Sequence, residues 1–218
     1  MRQPLYRALL IGLVLILGGC ATGSSYDYTA FRQSKPRSIV VLPPLNLSPD
    51  IRATYSMLAT VTRPLAESGY YVLPVALVDQ TFRENGVTEP GEMHQIPPGK
   101  LADIFGADAA LYITIEEYGA KYMIVSSEVI VAASARLIDT RNGQLLWEGK
   151  AMASSRESEG SNQGGLVGLL VKAVVNQIIG TTTDASFNYA GIASQRLLGA
   201  RQPNGLLYGP RSPNYQKD

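Results

Sequence analysis

The sequence predicts a single α/β domain built on a mixed sheet of about five strands, with helices packed over it. Three observations carry that expectation. Ile39-Val40-Val41-Leu42 and Tyr70-Tyr71-Val72-Leu73 are short apolar runs separated by a helical pattern, the signature of a parallel β-α-β unit with a right-handed crossover. Further along, two segments alternate apolar and polar side chains, as half-buried antiparallel strands do. Finally, 218 residues suffice for one domain with a proper core and are short for two.

Taken in order, residues 1–19 form a leader. Arg2 and Arg7 supply a positive start, and Ala8 to Leu17 an apolar run of about ten residues, where a bilayer-spanning helix needs about 20. Leu17-Gly18-Gly19-Cys20 closes it in the manner of a bacterial lipobox. Two small residues leave room for a peptidase at the bond before Cys20, and the thiol, reactive as a thiolate, accepts a diacylglyceryl group. Cys20 is the only cysteine in the chain, so lipidation there leaves no thiol chemistry and no disulfide. Two or three acyl chains hold a protein stably on a membrane. Ala21 follows where an inner-membrane retention signal has aspartate, which implies the outer membrane, with the domain facing the periplasm or exposed at the surface.

Residues 20–37 are polar and aperiodic and read as a lipidated tether. At ~3.3 Å per residue it reaches at most about 55 Å. The domain, residues 38–200, opens with the first apolar run, stopped by Pro43-Pro44. Ser48-Pro49 is a helix-opening pair, after which Ile51, Tyr55, Leu58 and Val61 share a helical face. Pro64 is expected to break or restart that helix near Thr62, and Gly69 to cap it in a left-handed conformation. The second run follows. A short helix from about Val78 to Glu84, a Gly/Pro-rich loop from Gly86 to Gly99, and a helix from Lys100 to Phe105 stopped at Gly106 come next. Leu111, Ile113 and Ile115 then alternate with polar neighbours, as do Val129, Val131, Ala133, Ala135 and Leu137. Asp139-Thr140-Arg141-Asn142-Gly143 is a hairpin turn whose return strand carries Trp147.

After a polar loop from Ser154 to Gly165, Leu166 to Ile179 reads as a helix apolar on all sides. Either it is buried in the core, or it also offers a face bearing Leu166, Leu169, Leu170 and Val174 to a partner or a second copy. A last helix runs from about Asp184 to Leu198. Residues 201–218 have prolines, glycines and tyrosines without a period, and read as a disordered tail.

Composition excludes several functions. The 19 basic and 18 acidic residues nearly cancel, and the isoelectric point is about 7.8, which argues against nucleic acid as a partner. One cysteine and one histidine cannot build a Cys/His metal cluster. No cofactor motif survives inspection. Gly86 to Gly91 has phosphate-loop glycine spacing but Glu92 where lysine is required, and Gly143 to Lys150 has one residue too many between its glycines. There is no Gly-x-Ser-x-Gly elbow, and His94 lies in the proline-rich loop, where a solvated side chain is the expectation. Glu116 and Glu117 are adjacent on a strand and point to opposite faces, so they share no proton. No catalytic residues are assigned, and the chain is read as non-enzymatic.

The segments PLAESGYYVLPV, GADAALYITIEEY and ARLIDTRNGQLLWEG resemble an outer-membrane lipoprotein family that includes a neisserial genome-derived antigen, over Cys20 to about Leu198. The last segment also resembles a hairpin of other periplasmic lipoproteins, among them CsgG of curli secretion and LpoB. The resemblance implies a fold like the N-terminal domain of TolB, a homodimer, and company with a CsgG-like lipoprotein and a further small lipoprotein in an envelope secretion or transport assembly. An LpoB-like regulator of peptidoglycan synthesis is the alternative. A periplasmic hydrolase or ligand-binding protein is the third, and a deep polar pocket holding His94 would favour it.

Overall fold

The structure is a computed structural model and describes residues 26–122, 127–157, 185–200 and 202–217. Among them are helices α1 (Thr29–Ser34), α2 (Ala53–Glu67), α3 (Val75–Glu84), α4 (Pro90–Met93), α5 (Pro98–Phe105) and α6 (Ala185–Leu198). The strands are β1 (Ser38–Val41), β2 (Leu45–Asn46), β3 (Tyr71–Val72), β4 (Ala109–Tyr122), β5 (Ser127–Asp139) and β6 (Leu145–Ser154). They form one mixed sheet in the order β3-β1-β4-β5-β6, with β2 alongside β4.

β1 is parallel to both β3 and β4, as the β-α-β reading requires, while β4, β5 and β6 are antiparallel. The sixth strand arises because Pro43-Pro44 interrupts rather than ends the first run. β1 lies beside Ala109–Leu111 of β4, and β2 resumes beside Thr114 and Ile115. Two residues without N–H groups cannot donate to the ladder, but the chain keeps its direction across them.

Both faces of β1 are buried, which explains its continuous apolar run. Ile39 and Val41 join Leu111, Ile113, Val131 and Leu137 under α2 and α6. Val40 and Leu42 join Ala110 and Tyr112 under Val78 and Phe82 of α3, Met93 of α4 and Leu101 of α5. Met93 is fully buried, so the Gly86 to Gly99 segment, expected as loop, contributes a helical turn to the core.

Two helix expectations are corrected. α2 begins at Ala53 rather than at Ser48-Pro49, because Asp50 receives the N–H groups of Arg52 and Ala53 and sets the first turn there. Its buried face is Ala53, Met57, Val61 and Leu65 with Thr54 and Leu58, leaving Ile51 90% exposed and Tyr55 on the surface. Pro64 does not break it. It sits in the last turn, where its missing N–H forfeits a single bond near the end, and its ring is buried. Gly69 then takes the expected left-handed conformation, at φ +96°.

The hairpin is as expected: the Gly143 N–H donates to the Asp139 carbonyl, with Gly143 at φ +74°. A bulge at Glu116 shifts the register between Ile115 and Glu117. The two glutamates face different lysines, Lys150 at 3.6 Å from Glu116 and Lys121 at 2.6 Å from Glu117.

Candidate functional site

Residues 26–37 and 202–217 overturn the expectations of a free tether and a disordered tail, since both pack on the domain. They meet at the lower end of the sheet, where β1 and β4 begin and β5 ends. The first segment bears aromatic side chains that reach inward. Phe31 of α1 is buried in the core, and the Tyr28 hydroxyl donates to the Gly205 carbonyl at 2.5 Å. The Tyr26 hydroxyl caps the N–H of Glu148 on β6, at 3.1 Å. β6 is an edge strand, so this contact covers a backbone donor that pairing leaves open.

The second segment is fastened through its main chain. The Trp147 Nε1–H donates to the Asn204 carbonyl at 2.9 Å, and the Tyr70 hydroxyl to the Leu207 carbonyl at 2.5 Å. The N–H groups of Gly209 and Arg211 donate to the carbonyls of Ser68 and Gly69. A Cβ on Gly69 would lie 2.5 Å from the Ser212 nitrogen, so glycine serves there for close approach as well as for its φ. Leu206, at 1% exposure, inserts into the same core as Trp147.

A polar knot ties α1 to the strand ends. Asp108 accepts the N–H groups of Arg37 and Ser38 and the Ser38 hydroxyl. Asp139, buried at the end of β5, accepts the Ser34 hydroxyl at 2.6 Å and the Arg141 backbone N–H at 2.8 Å, under the Arg141 guanidinium at 2.5 Å. Burial alone would raise the Asp139 carboxyl. The hydrogen bonds from Arg141 and Ser34 outweigh it and hold the group below its ordinary value.

These contacts shorten the stretch of chain between Cys20 and the folded domain. Tyr26 is already bound to the fold, and six residue steps separate it from Cys20, about 20 Å when fully extended, in place of about 55 Å. Cys20 and the expected cleavage residues Leu17, Gly18 and Gly19 lie outside the described residues, as do Leu166, Leu169, Leu170 and Val174 of the expected partner face. No described helix is long and apolar enough to cross a membrane.

His94, expected as a solvated loop side chain, is half-buried at the upper end of β1. Its Nε2 lies 3.0 Å from the Pro43 carbonyl, and its ring meets Tyr112 edge-on, with centroids 5.4 Å apart. Burial lowers its basicity, the bond to Pro43 opposes this, and Arg136 lowers it further. The ring therefore favours the neutral form with Nε2 donating, and pins the Pro43-Pro44 interruption. It does line an open cleft of about 570 Å³. Its recorded partners are the Pro43 carbonyl and the edge of the Tyr112 ring, and no described hydrogen bond joins it to a carboxylate or a hydroxyl. Among the described residues no group of His, Cys, Asp or Glu could hold a metal.

Nearly the whole of this arrangement, residues 26–211, matches the family described as "Putative lipoprotein GNA1162-like". The chain belongs to that GNA1162-like family. Its relative in Neisseria meningitidis serogroup B, named "Putative lipoprotein NMB1124/NMB1162", is 47% identical over 209 residues, 94% of this chain and 96% of that protein. The crystal structure of lipoprotein GNA1162 from N. meningitidis is 51% identical and superimposes with a TM-score of 0.53, covering 67% of this chain and all of the other. The LpoB C-terminal domain from Salmonella enterica, at 17% identity and a TM-score of 0.41, covers 54% of this chain and 82% of its own, a likeness too slight to carry an argument. The family resemblance seen in PLAESGYYVLPV and its companion segments is thus borne out, as is the mixed α/β fold. The matched span includes the packed N-terminal segment from Tyr26 and the C-terminal one as far as Arg211.

Proposed function

We propose that this GNA1162-like protein is an outer-membrane lipoprotein, acylated at Cys20 and facing the periplasm, that acts through protein contacts rather than catalysis. It is an accessory component of an envelope secretion or transport assembly, working beside a CsgG-like lipoprotein and a further small lipoprotein, and it self-associates through the face bearing Leu166, Leu169, Leu170 and Val174. The observation that carries this reading is the position of the lone cysteine. It closes an apolar leader and stands six residues ahead of a packed domain that belongs to a lipoprotein family. The engagement of His94 with a backbone carbonyl supports a non-catalytic role.

The test is capture of the full-length, lipidated protein from detergent-solubilised envelopes, with mass spectrometry of what co-purifies. Enrichment of a CsgG-like lipoprotein, lost in Cys20→Ser, is the expected result. A penicillin-binding protein in its place would replace this reading with a regulator of cell-wall synthesis. Analytical ultracentrifugation of Leu169→Glu/Leu170→Glu checks self-association, which that variant should abolish.

A further inference from the structure

Basic side chains gather at the lower end. Arg32 and Lys35 line a cavity of about 260 Å³ together with Tyr70, Tyr208 and Tyr215, where α1 runs beside the C-terminal segment. Arg37 follows α1, and its carbonyl accepts the Tyr71 N–H. The Arg211 guanidinium lies over the Tyr71 ring, 5.1 Å from its centroid. Arg141 reaches back to the Ser34 carbonyl and hydroxyl at the end of α1. Five cations thus share one rim. The acids recorded beside them are Asp139, buried under Arg141, Asp108, 3.8 Å from Arg37, and Asp27, which faces Arg32.

We infer that this rim lies against an anionic lipid surface, with Arg32, Lys35, Arg37 and Arg211 among the phosphates and Tyr208 and Tyr215 at headgroup level. The inference rests on the anchoring of Cys20 and goes beyond it. An acyl chain holds a protein on a membrane but does not say which side faces down. Three features choose the side. The packed N-terminal segment meets the rim directly, and the six-residue lead keeps it within about 20 Å of the lipid. Clustered Lys and Arg are drawn to anionic lipid, each raising the docked population about fivefold near the surface, and tyrosine favours the membrane–water interface. The most exposed aliphatic side chains, Ile51 and Leu47, stand at the other end beside β2, free for protein contacts.

Because Cys20 is the only native cysteine and lipid blocks it, one introduced thiol can be labelled alone. Gln33 on α1 and Leu47 after β2 are both exposed, the first beside the rim and the second beside Ile115, six residues along β4 from it. Full-length lipidated Gln33→Cys and Leu47→Cys proteins, carrying the same fluorophore, are reconstituted into phosphatidylethanolamine vesicles with or without phosphatidylglycerol. A nitroxide on the lipid headgroup is the quencher, and flotation is scored separately. The Gln33 label should be quenched about fivefold more than the Leu47 label on anionic vesicles. That contrast should collapse without phosphatidylglycerol, in high salt, and in Arg32→Glu/Lys35→Glu/Arg211→Glu, while all samples still float. Floating protein with equal quenching at both ends, or a contrast indifferent to lipid charge and salt, overturns the inference and leaves the anchor standing. Protein that does not float overturns both.

Discussion

The two ends of β1 are held by different means. At the upper end a single histidine pins a proline interruption: His94 Nε2 to the Pro43 carbonyl, with Tyr112 as a wall. At the lower end both terminal segments are drawn in by many bonds, most between a side chain and a backbone group, around Asp139, Asp108, Tyr70 and Trp147. The upper end can lose its pin and keep its strands, which continue beside β4 on either side of the prolines. The lower end is a network, and removing one member leaves buried polar partners unmatched. The difference teaches that segments without apolar periodicity can still be structural when aromatic and acidic side chains elsewhere supply the partners for their backbone.

The largest effect should come from deleting residues 202–218. That exposes the Leu206 site and leaves the Trp147, Tyr70 and Tyr28 donors without their carbonyls, a loss of about 5 kcal/mol by burial and unsatisfied-donor arithmetic, read by urea denaturation. A truncated chain as stable as the intact one would return this segment to a tail.

Next is Asp139→Asn, which should lose about 2–3 kcal/mol at neutral pH because a charge-assisted acceptor of Ser34 and Arg141 becomes a neutral amide. The folded carboxyl is held below its ordinary value, so the stability it contributes is present above the usual aspartate range and is lost as pH falls through and below about 4. The gap between wild type and variant should therefore narrow at pH 3. A gap unchanged between pH 7 and pH 3 would remove the ion pair from the account.

Trp147→Phe keeps most of the buried ring and removes only the donor to Asn204, so about 1 kcal/mol should go, with faster amide exchange confined to the residues around 204–211.

The smallest effect belongs to the upper end. His94→Gln should cost about 1 kcal/mol at pH 7.5. Its sharper signature is in pH: the folded imidazole is less basic than the unfolded one, so wild-type stability falls as pH drops below about 6.5, and the variant should lack that slope. Equal slopes in both proteins would show that the ring is not buried as neutral imidazole.

The regular elements were legible because their information is periodic. The run at Ile39 to Leu42, the alternation through β4 and β5, and the Asp139 to Gly143 turn each write their environment into consecutive side chains. α2 was legible in place but not in face. Asp50, not Ser48, opens it, four residues later than Ser48-Pro49 suggests, and the inward face is that of Ala53, Met57, Val61 and Leu65 rather than Ile51 and Tyr55. The ends were illegible for a different reason. Tyr26, Tyr28 and Trp147 mark them in hindsight as aromatic polar tips in need of partners, but nothing local says that the partners are the carbonyls of Asn204 and Gly205. His94 was misplaced likewise, because its acceptor lies 51 residues away.

Everything functional depends on Cys20 carrying lipid close to the folded domain. The direct measurement is the mass spectrum of the N-terminal peptide of the mature protein, isolated from envelopes. The account predicts a peptide that begins at Cys20 and bears a thioether-linked diacylglyceryl group. A peptide that begins elsewhere, or a free thiol on Cys20, would contradict it.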